Sequence, residues 1–235
     1  MSSHSDLTEQ HLKDFSGVAP ILKLEDHVLL PHSLLQIRVT SVADCQLITA
    51  ALAENTLVAV LFKTSHLDPG EDRHRNANMD SVCLASIVTS YELESGGYSI
   101  LLCGVCRAHA VMLKESDQLY GMATLELKRD YYASQPMIHR EHRHLELLNF
   151  YSRIFSPHVS DPIHYNVLHQ EISLGHLCDT LASTSSLEPT LCQLILEEYD
   201  VDLRSDLLLK FLKSKQHDLR SKPSPYAQPI EFSQN

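Results

Sequence analysis

The side chains best suited to chemistry in this chain are thiols and imidazoles. Cys103-Gly104-Val105-Cys106 has the spacing of a thiol pair. Redox or zinc chemistry needs both sulfurs to converge, as they do at a helix start or a knuckle. An extended strand instead sends residues three apart to opposite faces, and no second pair completes a tetrahedral site. The two cysteines therefore read as packed strand residues, with a bulge at Gly104 the one device that re-aims a side chain. His139, His142 and His144 form the other cluster. On a helix, His139 and His142 share a face and His144 lies well round the cylinder. Zinc-binding helices favour ligands at i and i+4, so the run reads as an exposed polar face. The expected metal ligands, cofactor ligands and catalytic residues are none. No G-x-S-x-G elbow is present, and no G-x-x-x-x-G-K-[ST] loop to cradle a nucleotide. A serine beside a histidine, assembled only in three dimensions, stays open.

Charge narrows the partners. The 235 residues carry 30 acidic and 19 basic side chains, a formal net charge of −11. Such a chain repels phosphate backbones unless it gathers a basic stripe. The best stripe, Arg140 to His144, is short and interrupted by Glu141, so no nucleic acid is expected. The first residues, MSSHSDLTEQHLKDF, lack the basic start and apolar run of a signal peptide. No apolar run nears the roughly 20 residues that span a bilayer, so no membrane partner is expected. The six cysteines suit a reducing compartment, and the expected location is cytoplasmic. Oligomeric state is left open.

The elements that must position these residues fall into two halves. Residues 1–16 are polar and aperiodic and read as a mobile arm. Strands are expected at Pro20–Leu24 and Leu34–Val39, with Pro31 at a strand end. Ser41-Val42-Ala43-Asp44 has capping-box spacing, the Asp44 carboxylate reaching back to the Ser41 N–H. The helix behind it presents Leu47, Ile48, Ala51 and Leu52 on one face and ends at Asn55. Leu57–Phe62 is a buried strand, and 65–80 is a long polar loop, functional or disordered. Val82–Glu94 and Tyr98–Met112 form a hairpin across Gly96-Gly97, and Leu119–Leu127 is the last strand. From Pro136 the period becomes helical. Leu145, Leu148, Tyr151 and Phe155 mark one helix, closed by Ser156-Pro157, and 161–172 a short second. Leu174, Leu177, Cys178 and Leu181 mark another, as do Leu191, Leu194 and Ile195. Leu203, Leu207, Leu208, Phe211 and Leu212 mark the last. From Lys215 the chain reads as an extended, loosely held tail. The organisation expected is thus an arm (1–16), a β-rich subdomain (17–132), a helical subdomain (133–214) and a tail (215–235).

Three separated segments carry a family resemblance. Leu29-Leu30-Pro31, then Leu35-Gln36-Ile37-Arg38-Val39 and an amphipathic helix, resembles the start of the N-terminal domain of Lon proteases. Tyr98 to Ala108, with Gly104 and Arg107 three apart, is similar to a later strand of that family. Leu177 to Ala182, then Leu196 to Val201 and the leucine-rich helix, is similar to its helical half. The similarity spans about residues 18–214 and rests on order and spacing. It implies an α+β fold: a PUA-like β pseudo-barrel with one internal helix, followed by a helical bundle. It also implies a module that recognises protein or peptide segments without catalysis, in a family whose ATPase and protease chemistry sits in other domains. A small-ligand or modified-nucleotide reader is the alternative; a hydrolase is a third. The matching family positions Leu30, Pro31, Leu35, Arg38, Gly104 and Arg107 are expected to be structural, with the two arginines in ion pairs that fasten the barrel. Tyr131 and Tyr132 either line a partner groove or pack the seam between the halves. The chain departs from the family pattern at Thr40–Asp44, which replaces an aromatic- and arginine-bearing run. His32 stands where a glycine is expected, and Gln36 where a proline is.

Overall fold

The computed structural model describes residues 12–13, 15–63, 80–114, 118–155 and 172–221. Six strands and five helices are set out there: β1 (Val18–Leu24), β2 (Leu34–Val39), α1 (Val42–Glu54), β3 (Val58–Phe62), β4 (Asp80–Glu92), β5 (Tyr98–Lys114), β6 (Met122–Lys128), α2 (Arg140–Phe155), α3 (Leu174–Thr184), α4 (Pro189–Glu197) and α5 (Val201–Ser221). The fold is α+β.

The sheet runs β2-β5-β4-β3-β1-β6, and β5 also pairs β6. That second pairing closes a barrel. β5 is long enough for its first part to pair β2 (Tyr98–Cys103) and its second part to pair β6 (Arg107–Lys114), while β4 lies along its other side. The ring is β1-β3-β4-β5-β6, with β1 and β3 parallel. β2 hangs outside it, paired among the described residues only to the first part of β5.

Alternation along the central strands buries both faces. Ile21, Ala59 and Leu84 join one apolar cluster with Val105 and Leu125. Leu22, Val58, Val60, Cys83 and Ala85 join the other, which continues through α1 into the helical bundle. Leu12 and Phe15 pack on the first cluster, within the stretch expected as a mobile arm.

Local chemistry sets the element ends. The Ser41 hydroxyl accepts from the Asp44 N–H at 3.1 Å. The Asp44 carboxylate departs from expectation: it takes a hydrogen bond from the Ser41 hydroxyl at 2.6 Å and not from its N–H. Asn55 ends α1 in the left-handed conformation, φ 51°. Leu52 stays solvent-exposed; the core face of α1 is Leu47, Ile48 and Ala51.

Several helical expectations shift. α2 begins at Arg140 and not at Pro136, because His139 Nδ1 accepts from the His142 N–H at 3.3 Å and caps it. Its buried residues are Leu147 and Tyr151, with Leu145 exposed. α5 begins at Val201 under the Asp200 carboxylate. It continues to Ser221, past the expected end before Lys215. Leu194 and Leu203 face solvent, and Cys192, Leu196 and Arg204 take the core positions. Leucine spacing located these helices but did not give their rotation, because polar side chains occupy part of the core face. The loop 65–79, the Ser156-Pro157 helix end and the short helix expected up to residue 171 lie outside the described residues.

Candidate functional site

Cys103 and Cys106 lie on β5, on either side of a bulge. Leu84 faces Cys106 and Ala85 faces Gly104, so Val105 is the extra residue. Burial raises both thiols above their ordinary value, Cys106 to about 11. They are poor thiolates, as packed strand cysteines should be. His139 is occupied as the α2 cap. The basic run is consumed by acids: Arg140 Nε donates to Asp202 at 2.7 Å, and Arg143 pairs Asp206 and Glu146. The pairs to Asp202 and Asp206 bind α2 to α5, and the pair to Glu146 lies within α2.

Gly104 marks a close backbone approach in the barrel. A Cβ there would overlap the Leu30 carbonyl oxygen. The Gly104 N–H donates to Ser33 O at 2.9 Å, and the His32 N–H donates to Gly104 O at 2.9 Å. His32 and Ser33 together oppose one residue, which is a bulge, and His32 takes φ 61° in the position that favours glycine. Leu30 and Pro31 are buried before it, and Leu35 is half-buried on β2.

The seam between barrel and bundle holds a buried ion cluster. Arg107 on β5 donates through Nη1 to Asp179 Oδ2 at 2.8 Å and through Nη2 to Oδ1. Its Nε and Nη2 also donate to the Leu196 and Ile195 carbonyls at 3.2 and 3.3 Å, which covers the end of α4. Arg204 on α5 donates to both Asp179 oxygens at 3.1 and 3.3 Å and also pairs Asp130. Arg107 is 4%, Asp179 0% and Arg204 0% exposed. Burial alone would raise the Asp179 carboxyl; Arg107 and Arg204 outweigh it and hold the group below the ordinary carboxylate range. Arg107 thus fastens the barrel to the bundle. Arg38 does not share that role: it is exposed and makes no ion pair among the described residues.

Asp179 and Arg204 had a signal in the sequence. Each interrupts an apolar helix stripe, and buried charges are rare unless paired. Tyr131 and Tyr132 border the same seam. The Tyr131 N–H donates to Tyr199 O at 2.9 Å, and its carbonyl accepts from the Val201 N–H at 3.0 Å. Arg140 lies over the Tyr132 ring, 5.1 Å from its centroid, and the Tyr132 hydroxyl accepts from the Gly175 N–H at 3.3 Å.

His32 stacks on His176 beside this cluster, centroids 4.0 Å apart. Partial burial and the His32 ring lower His176 to about 4, and burial lowers His32 as well. A histidine kept neutral by folding binds its proton more readily in the unfolded chain, so its contribution is present above the ordinary value and lost as pH falls. The melting temperature is expected to fall as pH drops from about 6.5 toward 4. His176→Phe, which cannot titrate, should flatten that slope in a pH series of thermal melts.

One serine does reach a histidine. Ser81 Oγ lies 3.4 Å from His109 Nδ1 and 3.1 Å from the Tyr199 hydroxyl, which lies 2.8 Å from His109 Nε2. Ser81 is 5% exposed, and no carboxylate hydrogen-bonds His109 among the described residues. The group ties β4 and β5 to the α4–α5 connection; it does not present a nucleophile to solvent.

The open concave surface lies elsewhere. A cleft of about 970 Å³ runs between α1 and the tip of the β4–β5 hairpin. Val42, Cys45, Ala50 and Ala53 line it from α1, and Leu93 and Tyr98 from the hairpin. Val42 is 69% exposed. Thr49 Oγ1 and the Tyr98 hydroxyl, 3.0 Å apart, span its floor. Glu92 is the one charged lining residue among the described residues. Gly97, at φ 93°, closes the wall; a Cβ there would overlap the Val39 carbonyl oxygen. Sequence reading missed the cleft because its lining comes from two elements whose nearest lining residues, Ala53 and Glu92, are 39 positions apart (92 − 53).

The chain is thus a closed barrel with one appended strand and an internal helix, pinned to a helical bundle by a buried ion cluster, with an apolar cleft beside the internal helix. The model of the substrate-binding domain of ATP-dependent protease La (Lon) matches residues 18–214, and the chain belongs to that family. The N-terminal domain of a Mycobacterium avium complex Lon protease has the same fold, with a TM-score of 0.64 at 18% identity, covering 83% of this chain and 98% of that one. A Lon N-terminal domain protein from Xanthomonas campestris aligns with a TM-score of 0.59 at 15% identity, again over 83% and 98%. No curated protein sequence matches significantly. No helix among the described residues is long and apolar enough to cross a membrane.

Proposed function

We propose that this chain is a non-enzymatic recognition module that holds exposed apolar segments of other protein chains. The observation that carries the reading is the cleft between α1 and the β4–β5 hairpin: apolar, open along its length, and without a basic lining residue. Open apolar surface favours extended or partly unfolded chain over a small ligand, which is better held by a concave pocket with convergent polar groups. The absence of lysine and arginine from the lining disfavours phosphate-bearing partners. Family membership supports the same class of function, and the expected site of action is the cytoplasm.

The test is fluorescence anisotropy with a labelled, reduced and carboxymethylated protein that cannot fold. Binding is expected, and Val42→Asp with Ala53→Arg should weaken it about tenfold by placing charge in the cleft. Both positions lie on the solvent side of α1, so the melting temperature should hold. Unchanged affinity in the double variant would remove the cleft from the reading. A melting temperature raised by a nucleoside or another small molecule, with no unfolded protein bound, would replace it with the small-ligand alternative.

A further inference from the structure

β2 has one edge paired to β5 and one edge with no backbone partner among the described residues. Which groups face that free edge follows from register. The Gly104 N–H donates to Ser33 O, and antiparallel bonding repeats every second residue. Residues 33, 35, 37 and 39 therefore bond β5, opposite Gly104, Leu102, Ile100 and Tyr98. The hairpin confirms the parity from the other side: the Leu93 N–H donates to Gly97 O at 3.0 Å, which leaves the odd residues of β5 to β4 and the even ones to β2. Leu34, Gln36 and Arg38 thus send their N–H and C=O groups outward.

The side chains of the same three residues stand on the solvent face of the sheet. Leu34 is 58% exposed, and Gln36 and Arg38 are exposed as well. The row across the sheet from Arg38 is Ser99 and then Tyr91, so no cross-strand neighbour supplies a carboxylate. β2 also leads directly into the cleft, whose wall begins at Thr40.

We propose that the free edge of β2 is a strand-addition site. It takes one extended peptide segment, antiparallel, with an acidic residue opposite Arg38 and an apolar residue opposite Leu34. This rests on the reading of the chain as a recognition module for protein segments and names the shape and charge of the segment. Strand addition satisfies the outward backbone groups, and side chains on one face select the sequence. Opposite charges facing each other across an antiparallel pair are favourable. A second copy of this chain fits less well. An antiparallel self-pairing centred on Gln36 sets Arg38 against Leu34, with no carboxylate for the guanidinium, and brings together two chains of net charge −11.

The probe is a labelled, acetylated and amidated peptide, Thr-Val-Glu-Val-Thr-Val-Leu-Thr, titrated into the full chain, with a lysine-for-glutamate version as control. The glutamate peptide should bind at least about tenfold tighter than the control, and Arg38→Glu should reverse the preference. Amide exchange at Leu34, Gln36 and Arg38 should slow on binding. Gln36→Pro removes an outward donor without breaking any backbone bond to β5, and the side-chain bond it does lose, Gln36 Nε2 to Ser99 Oγ at 3.3 Å, is solvent-exposed, so the melting temperature should nearly hold while affinity falls at least about tenfold. Equal binding of both peptides, full affinity in Gln36→Pro, or unprotected amides at the three positions would overturn the proposal. So would a dimer in sedimentation that Gln36→Pro dissociates. If unfolded protein binds through the cleft and the peptide does not bind, the strand-addition site fails and the recognition function stands. If neither binds, both fail.

Discussion

Asp179→Ala should cost about 3–5 kcal/mol of folding stability, a large part of what a domain of this kind possesses. Two anions, Asp179 and Asp130, touch both Arg107 and Arg204, and Asp179 is the fully buried one. Removing it leaves two guanidiniums facing each other across the seam, with the partly exposed Asp130 as their remaining counter-ion. Urea unfolding followed by circular dichroism gives the measure, and an unchanged midpoint would refute this reading of the cluster. Replacing Arg107, Asp179 and Arg204 together by leucine or methionine should cost far less than the single change, because no charge is then left buried and unpaired. The depressed Asp179 pKa sets the pH range. Its contribution is complete above the ordinary carboxylate pKa of about 3.9 and is lost as pH falls through the lower folded-state value. Acid loss from Asp179 therefore follows the loss expected from His176 and lies below it in pH.

Gly104→Val should be nearly as damaging, at about 3 kcal/mol, because the added atoms meet backbone and not a movable side chain. The Cβ position is taken by the Leu30 carbonyl oxygen, with the Cys83 sulfur 3.1 Å away. Relief requires β2 to separate from β5, which breaks the bulge that joins His32 and Ser33 to Gly104. The same denaturation experiment measures it. Val105→Ala, one residue along at the bulge, is a cavity-forming control that should cost less. Equal stability of Gly104→Val and the parent would show that the close approach is not rigid.

These two sites differ in how they could be read from sequence. Gly104 announced itself as a glycine inside a long β-branched and aliphatic strand, where only a bulge or close approach explains it. Arg107 was legible as a charged residue on a buried strand. Its pairing with Asp179 was not, because Asp179 lies 72 positions away (179 − 107) on a helix, and Arg204, which shares that carboxylate, lies 97 positions away (204 − 107) on another. The helices themselves were found from apolar spacing, yet Leu145, Leu194 and Leu203, three of the leucines that mark them, are exposed. Leu147, Cys192 and Arg204 stand there instead. Periodicity reports that an apolar face exists; it does not report that a paired arginine can share it.

The sequence by itself determined the α+β order of elements, the capped internal helix, the Gly96-Gly97 hairpin and the family. These depend on local propensity and short-range pattern, which a linear chain displays. Tertiary structure decided the barrel closure, because one strand, β5, is shared along its length between β2 and β6. It also decided that the seam is filled by charge, that the cleft opens between α1 and the hairpin, and that one edge of β2 is unpaired among the described residues. Each of those depends on which distant residues meet, and spacing along the chain carries no record of that.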